Sequence, residues 1–139
     1  MTSGMVVCRT VIRVVAAIIE QRGSILICQR HARAILALKW EFPGGKMRAS
    51  ETPRQALERE LREELGVTAD IGTVVATVQH RYSQMRDAVK IFFLPARISQ
   101  SPRNLAFERI VWVRRSELRR YDFLAADRRV IAMLIRGEI

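Results

Sequence analysis

The stretch from Trp40 to Gly66 constrains the fold more tightly than any other part of the chain. Trp40-Glu41-Phe42-Pro43-Gly44-Gly45-Lys46 carries a Pro-Gly-Gly run that no regular element is expected to pass through, so a loop with special backbone needs is predicted there. Thr52-Pro53-Arg54-Gln55 then has the make-up of a helix start. Thr52 serves as N-cap, Pro53 fills the first helical position, and Gln55 closes a capping box. Gly66 supplies the stop. Between these signals Leu57, Leu61 and Leu65 recur at i, i+4 and i+8, which puts one apolar stripe on the helix for a core to receive.

The flanks read as strands. Val11 to Glu20 and Ser24 to Gln29 are apolar, largely β-branched runs around the turn signal Gln21-Arg22-Gly23, so two buried strands in hairpin-like succession are expected. Periodicity is lost from Arg30 to Lys39. After the helix, Ile71 to Gln79 and Val89 to Ile98 are strand-like around the polar turn Ser83 to Asp87. Ile110 to Val113 forms a short strand, and Ser116 to Tyr121 and Ala126 to Ile135 form short helices. The order β-β-loop-α-β-β-β-α, without repeat or linker, predicts an α/β (α+β) fold: an α/β/α sandwich with a mixed β-sheet between helices. A single domain over residues 1–139 is expected, with residues 1–8 a flexible leader or the start of the first strand. A chain of this size buries roughly 68% of its unfolded surface, enough for a proper core.

Composition removes several classes. With 49% hydrophobic and 27% charged residues, seven Gly and four Pro, the chain is neither disordered nor collagenous. A membrane helix needs ~18 to 20 uncharged apolar residues, and none is available, because Arg13 and Glu20 bound Val14 to Ile19 and Arg9 interrupts the N-terminal run. The same interruptions speak against a signal peptide. Cys8 and Cys28 lie in apolar runs rather than at metal-ligand spacing, which fits buried thiols in a reducing cytoplasm. The 24 Lys and Arg against 14 Asp and Glu give a net charge of +10, mostly arginine. Such a field attracts nucleic acid, nucleotides and other phosphorylated molecules alike; an arginine-rich solvated surface accounts for it equally well.

The polar side of the helix carries the chemistry. Glu60, Glu63 and Glu64 are related by three and four residues, so their carboxylates share one patch. Like charges at that spacing cost roughly 0.2 to 0.5 kcal/mol per pair. Glu58 with Arg62 is an ordinary i,i+4 pair, whereas Glu60 and Glu64 have no basic residue three or four positions away and Glu63 reaches only Arg59. A hard divalent cation would relieve the repulsion, since Mg²⁺ takes carboxylates, waters and substrate phosphates as oxygen ligands. A merely solvated charged face is the alternative.

From Gly45 to Val67 the chain reads G-K-M-R-A-S-E-T-P-R-Q-A-L-E-R-E-L-R-E-E-L-G-V. It resembles the box of the Nudix family, with Gly45, Glu51, Arg59, Glu60, Leu61, Glu63, Glu64, Gly66 and Val67 at the specified positions. The flanking Trp40 to Lys46 segment and the chain length resemble the MutT-like branch, small hydrolases of nucleoside triphosphates. The resemblance implies water attack on a phosphorus of a nucleoside diphosphate derivative, with Mg²⁺ or Mn²⁺ as cofactor. It implies that Glu60, Glu63 and Glu64 hold the metal and provide a base, that Gly45 offers its carbonyl as a further ligand, and that Glu51 and Arg59 pair to brace loop against helix. Phe42, Gly44 and Lys46 become candidates for substrate contact, as do Arg30 and Asp127 at the base. Ionised, Asp127 would accept from a donor-rich base edge.

Other residues are assigned more plainly. Phe42 and Trp112 are expected in the core, His31 and His80 in loop and strand, and Tyr82 on an edge strand, with base stacking as its alternative. Glu108 is a possible extra metal ligand, at an unexpected spacing to Trp112. The expected activity is release of a nucleoside monophosphate and pyrophosphate from 8-oxo-dGTP or a related (d)NTP, which sanitises the nucleotide pool and so serves DNA repair. A cytosine-type triphosphate is the runner-up, and ADP-ribose or dinucleoside polyphosphates stay open within the enzyme class. A non-catalytic nucleotide- or nucleic-acid-binding module is the other class, which retention of the carboxylates disfavours. Expected partners are a small nucleotide, with no membrane and no stable nucleic acid, for a monomer or homodimer in the cytoplasm.

Overall fold

A computed structural model describes residues 10–139 of the chain; residues 1–9, which include Cys8 and the expected leader or strand start, lie outside the described residues. Strand β1 (Val11–Gln21) turns into β2 (Ser24–Gln29) through Arg22 and Gly23, both at positive φ (52° and 80°), as a tight two-residue hairpin requires. The pair stays together only at Glu20↔Ile25 and Gln21↔Ser24 and then splays. β3 (Trp40–Glu41) pairs with the end of β2, and β4 (Gly44–Lys46) pairs antiparallel with the middle of β1. The Pro-Gly-Gly segment is therefore not a free loop. It carries one short strand on each side of Phe42-Pro43, and that bend moves the chain from one neighbour to another.

Helix α1 (Pro53–Leu65) has the expected ends: the Thr52 side chain accepts from the Gln55 N–H, the Gln55 side chain returns the bond, and Gly66 caps the C-terminus in the left-handed region. The run Ile71 to Gln79 splits into β5 (Ala69–Ile71) and β6 (Ala76–His80), both antiparallel to β7 (Ala88–Ile98), with Gly72 to Val75 passing between them. β7 lies parallel to β1 from Val11↔Ala88 to Ile19↔Ala96, and β8 (Arg109–Arg114) runs antiparallel to β2. Arg115–Arg120 is a 3-10 segment rather than an α-helix. The last helix, α2 (Arg128–Ile135), is preceded by a 3-10 turn over Ala125–Asp127.

Alternation along the strands creates two cores. Val15, Ala17, Ile19, Leu26, Cys28 and Leu94 face α1 and meet its stripe Leu57, Leu61 and Leu65. Ala16, Ile18, Ile25, Ile27 and Phe93 face the other way, onto Leu118, Phe123, Val130 and Leu134. The outcome is an α/β/α sandwich around a mixed sheet. Trp112 departs from the expected core position: on edge strand β8 it is 38% exposed. Tyr82 is buried rather than on an edge strand; it follows β6 in a loop and its hydroxyl accepts from the Ala126 N–H.

Candidate active site

Two glycines set the geometry where β4 meets α1. Gly44 adopts φ 153°, and a Cβ there would stand 1.9 Å from the Val15 carbonyl oxygen. At Gly45 a Cβ would stand 2.1 Å from a carboxylate oxygen of Glu60. Only glycine lets the loop lie this close to both the sheet and the helix. The Gly44 N–H donates to Glu64 at 3.0 Å, so the helix holds the loop in turn.

Arg59 is the hub of this end. It grips Glu51 through two bonds of 2.6 and 2.8 Å, reaches Glu60 at 2.5 Å and Glu63 at 3.2 Å, and donates to the Lys46 carbonyl at 3.0 Å. Glu60 is thus not without a cation: a bent arginine serves the adjacent residue, which a reading by helical spacing alone overlooks. The Arg59 guanidinium, with the Arg48 N–H, holds Glu51 down to a pKa of about 2. Glu60 moves up, mainly because burial disfavours its charge.

Glu64 is different. Its bond from Gly44 is its one hydrogen bond among the described residues, and no cation pairs with it. Burial, then the repulsion of Glu60, push it up to about 9. Glu63 points outward, its side chain 47% exposed. Among the described residues no three His, Cys, Asp or Glu side chains are gathered around one point. The donors nonetheless suit a hard cation: carboxyl oxygens of Glu60 and Glu64 lie at a glycine loop, and Glu64 has no cation of the protein to pair with among the described residues.

Glu60 and Glu64 line a cavity of about 320 Å³ whose wall also includes Phe42, Gly44, Gly45 and Lys46. Arg30, Glu41, Tyr82 and Asp127 line the same cavity, and the Glu41 charge is felt at Glu64. Phe42 serves core and cavity together, packing against Phe93 and Phe123 at centroid distances of 6.0 and 5.6 Å. Arg30 is spent locally, on both Glu41 oxygens at 3.2 and 3.3 Å and on the Ile35 carbonyl at 2.9 Å. Asp127 is 3% exposed and its Oδ2 has no hydrogen-bond partner among the described residues. Burial foremost, with Glu41 adding to it, raises its pKa well above the ordinary value and so favours the neutral carboxyl. The direction runs against the ionised acceptor that the sequence suggests: a neutral carboxyl also donates.

Glu41 is the residue that sequence reasoning missed. A carboxylate between two large aromatics that both turn out buried was the available signal. Burial raises its pKa while Arg30 opposes the shift. Glu108 lies outside the cavity wall, immediately before β8, with its carboxylate 3.5 Å from His31. His31 and His80 occupy loop and strand as expected.

A mixed sheet thus lies between helices, and a capped helix presses its carboxylates against a glycine loop. The chain belongs to the Nudix family: the model described as NUDIX domain matches residues 14–133. It is 34% identical over 122 residues to the 8-oxo-dGTP diphosphatase of Escherichia coli K12, covering 88% of this chain and 94% of that one. To the CTP pyrophosphohydrolase of the same organism it is 56% identical over 72 residues, 52% of this chain and 53% of that relative, so this match spans about half the relative's length. The solution structure of the E. coli ORF135 protein superposes with a TM-score of 0.81 at 36% identity, over 97% of each chain.

Proposed function

We propose that the chain is a Mg²⁺-dependent nucleoside triphosphate pyrophosphohydrolase working as one catalytic domain in the cytoplasm, with 8-oxo-dGTP or a related (d)NTP as substrate. Mn²⁺ is a workable replacement for the cation. The carrying observation is that the carboxylates of Glu60 and Glu64 and the polar group Arg30, Glu41 and Asp127 open into one cavity. A nucleotide makes the same two demands: an anionic chain that needs cations and a base that needs hydrogen bonds.

In this reading Glu60, Glu63 and Glu64, with the Gly45 carbonyl, would hold the cation, which supplies charge neutralisation on phosphate oxygens and acidification of water when bound. One of these carboxylates takes the proton of the attacking water. The oxygen–phosphorus bond forms as the bond to the leaving pyrophosphate breaks, and the monophosphate stays on the nucleoside. Lys46 stands on the cavity wall where it can meet a phosphate. Glu51 and Arg59 keep loop and helix in register. Phe42 offers an apolar surface to the base. The names of the two E. coli relatives support a triphosphate, oxidised guanine or cytosine in type.

A panel of 8-oxo-dGTP, dGTP, dCTP, CTP, dATP, ADP-ribose and a dinucleoside polyphosphate, scored for monophosphate and pyrophosphate, tests this. Turnover of a triphosphate to those two products, lost in excess EDTA and restored by Mg²⁺, is expected. Turnover that survives EDTA, or is confined to ADP-ribose, overturns it.

A further inference from the structure

A second cavity, of about 370 Å³, adjoins the first and shares Leu36, Tyr82 and Leu124 with it as a common wall. Its charged lining is of one sign. Lys39 stands just before β3, Arg81 just after β6, and Arg128 opens α2, while His80 at the end of β6 completes the set. Among the described residues no Asp or Glu lines this wall. Lys39 is paired with Asp122 at 2.9 Å, and that carboxylate, 68% exposed, stands outside the cavity. Arg81 and Arg128 are exposed, and neither pairs with a carboxylate among the described residues. The His80 ring is held edge-on to Tyr82 with centroids 4.4 Å apart.

A concave wall that gathers cationic side chains and holds no anionic one concentrates positive potential where a ligand enters, which a flat solvated arginine surface does not. Phosphate is the anion this set suits, because a guanidinium donates to it through paired N–H groups and an ammonium meets it as a point charge. The 5′ phosphates of a nucleotide belong, in the triphosphate reading above, with Glu60 and Glu64, and neither of these lines the second cavity. Beyond its 5′ chain a nucleotide carries phosphate on its sugar hydroxyls. We propose that the second cavity is a subsite for a phosphate ester on the sugar of the bound nucleotide, with Arg81 and Arg128 as the donors and Lys39 adding charge. The proposal rests on the triphosphate reading and adds to it a binding site outside the first cavity. The ester is either a terminal 3′-phosphate or the phosphodiester that leads to the next nucleotide of a strand; both present the same anionic oxygens.

Affinities of dGMP, deoxyguanosine 3′,5′-bisphosphate and a 5′-phosphorylated deoxyguanosine dinucleotide, measured calorimetrically in EDTA, test this. The proteins are the wild type, the double variant Arg81→Gln with Arg128→Gln, and a charge control, Arg54→Gln with Arg97→Gln, which removes two exposed arginines elsewhere. Circular dichroism confirms folding. The wild type is expected to bind the bisphosphate roughly 10-fold or more tightly than dGMP, the scale of a charge-assisted hydrogen bond. The double variant should lose that ratio and the charge control should keep it. A gain confined to the bisphosphate supports a terminal monoester, and an equal gain with the dinucleotide supports a strand as well. No gain with either probe overturns the proposal, as does a gain that survives in the double variant or vanishes equally in the charge control. The triphosphate reading fails separately, by absence of turnover in the substrate panel.

Discussion

Two groups of carboxyls around an arginine settle their imbalance differently. On α1, Arg59 pairs with Glu51, Glu60 and Glu63, and Glu64 has no cation in contact among the described residues. Across the cavity wall, Arg30 pairs with Glu41 beside Asp127. One excess carboxyl can be neutralised by a proton, and full enclosure of Asp127 makes that the cheaper course. Several excess carboxyls, partly open to the cavity, are better served by a divalent cation. The difference shows how one residue type leaves a charge excess that suits a cation in one place and an enclosed carboxyl that favours a proton in another.

Predictions can break or sharpen this contrast. The largest effect belongs to the α1 group: Glu60→Gln and Glu64→Gln should each lower kcat by at least ~10²-fold. Glu58→Gln, on the solvated side of the helix, should be nearly silent. A Glu58 as sensitive as Glu60 would mean that the wrong face of the helix carries the chemistry.

Next comes the hub. Arg59→Met removes the shared partner of three carboxylates, and the resulting repulsion should cost about 1 to 3 kcal/mol, a range held down because part of the group meets solvent. Thermal unfolding measures it, and added Mg²⁺ should recover part of the loss. A variant as stable as wild type would show that Arg59 is dispensable to loop and helix.

A pH dependence follows from Glu64. Folded, it titrates near 9, while an unfolded glutamate titrates near 4.5. Between those values the folded chain holds a proton that the unfolded chain has released, so stability is fully present below about 4.5 and declines as pH rises toward 9. Melting temperatures in EDTA should therefore fall across that window, with Glu64→Gln flattening the slope. Mg²⁺ should stabilise more at alkaline than at acid pH. A slope that persists unchanged in Glu64→Gln places the responsible group elsewhere.

The smallest effect tests independence of the two groups. Tyr82→Phe leaves the buried Ala126 N–H without its acceptor and should cost about 1 to 2 kcal/mol. Its Mg²⁺ affinity, titrated calorimetrically, should match the wild type; a large change would join the two groups into one network.

Legibility in the sequence follows the same division. The α1 group is written within Gly45 to Val67, where capping residues, leucine spacing and carboxylate spacing are all local, so its fold and its charge excess could be read directly. Strand β4 escaped because glycines carry no strand propensity; its pairing comes from the close approach to β1 that they permit. Glu41 and Asp127 meet only after β3 has turned and α2 has folded back, and nothing between them in sequence signals the meeting. The raised pKa of Asp127 is a product of that enclosure, which residue chemistry read in isolation does not include. Trp112 shows the limit of composition: an aromatic in a strand is expected inside, yet β8 is an edge.

The thiol of Cys28 has a practical consequence. It is fully buried where β2 faces α1, and burial, with Glu64 and Glu41 nearby, pushes its pKa well up. An alkylating reagent needs both access and thiolate, so labelling at this position should proceed only through openings that part β2 from the helix. The rate of its modification, followed by mass on the peptide that contains Cys28, would then act as a clock for those openings. Any ligand that tightens the grip of α1 on the glycine loop should slow that clock without touching the sulfur.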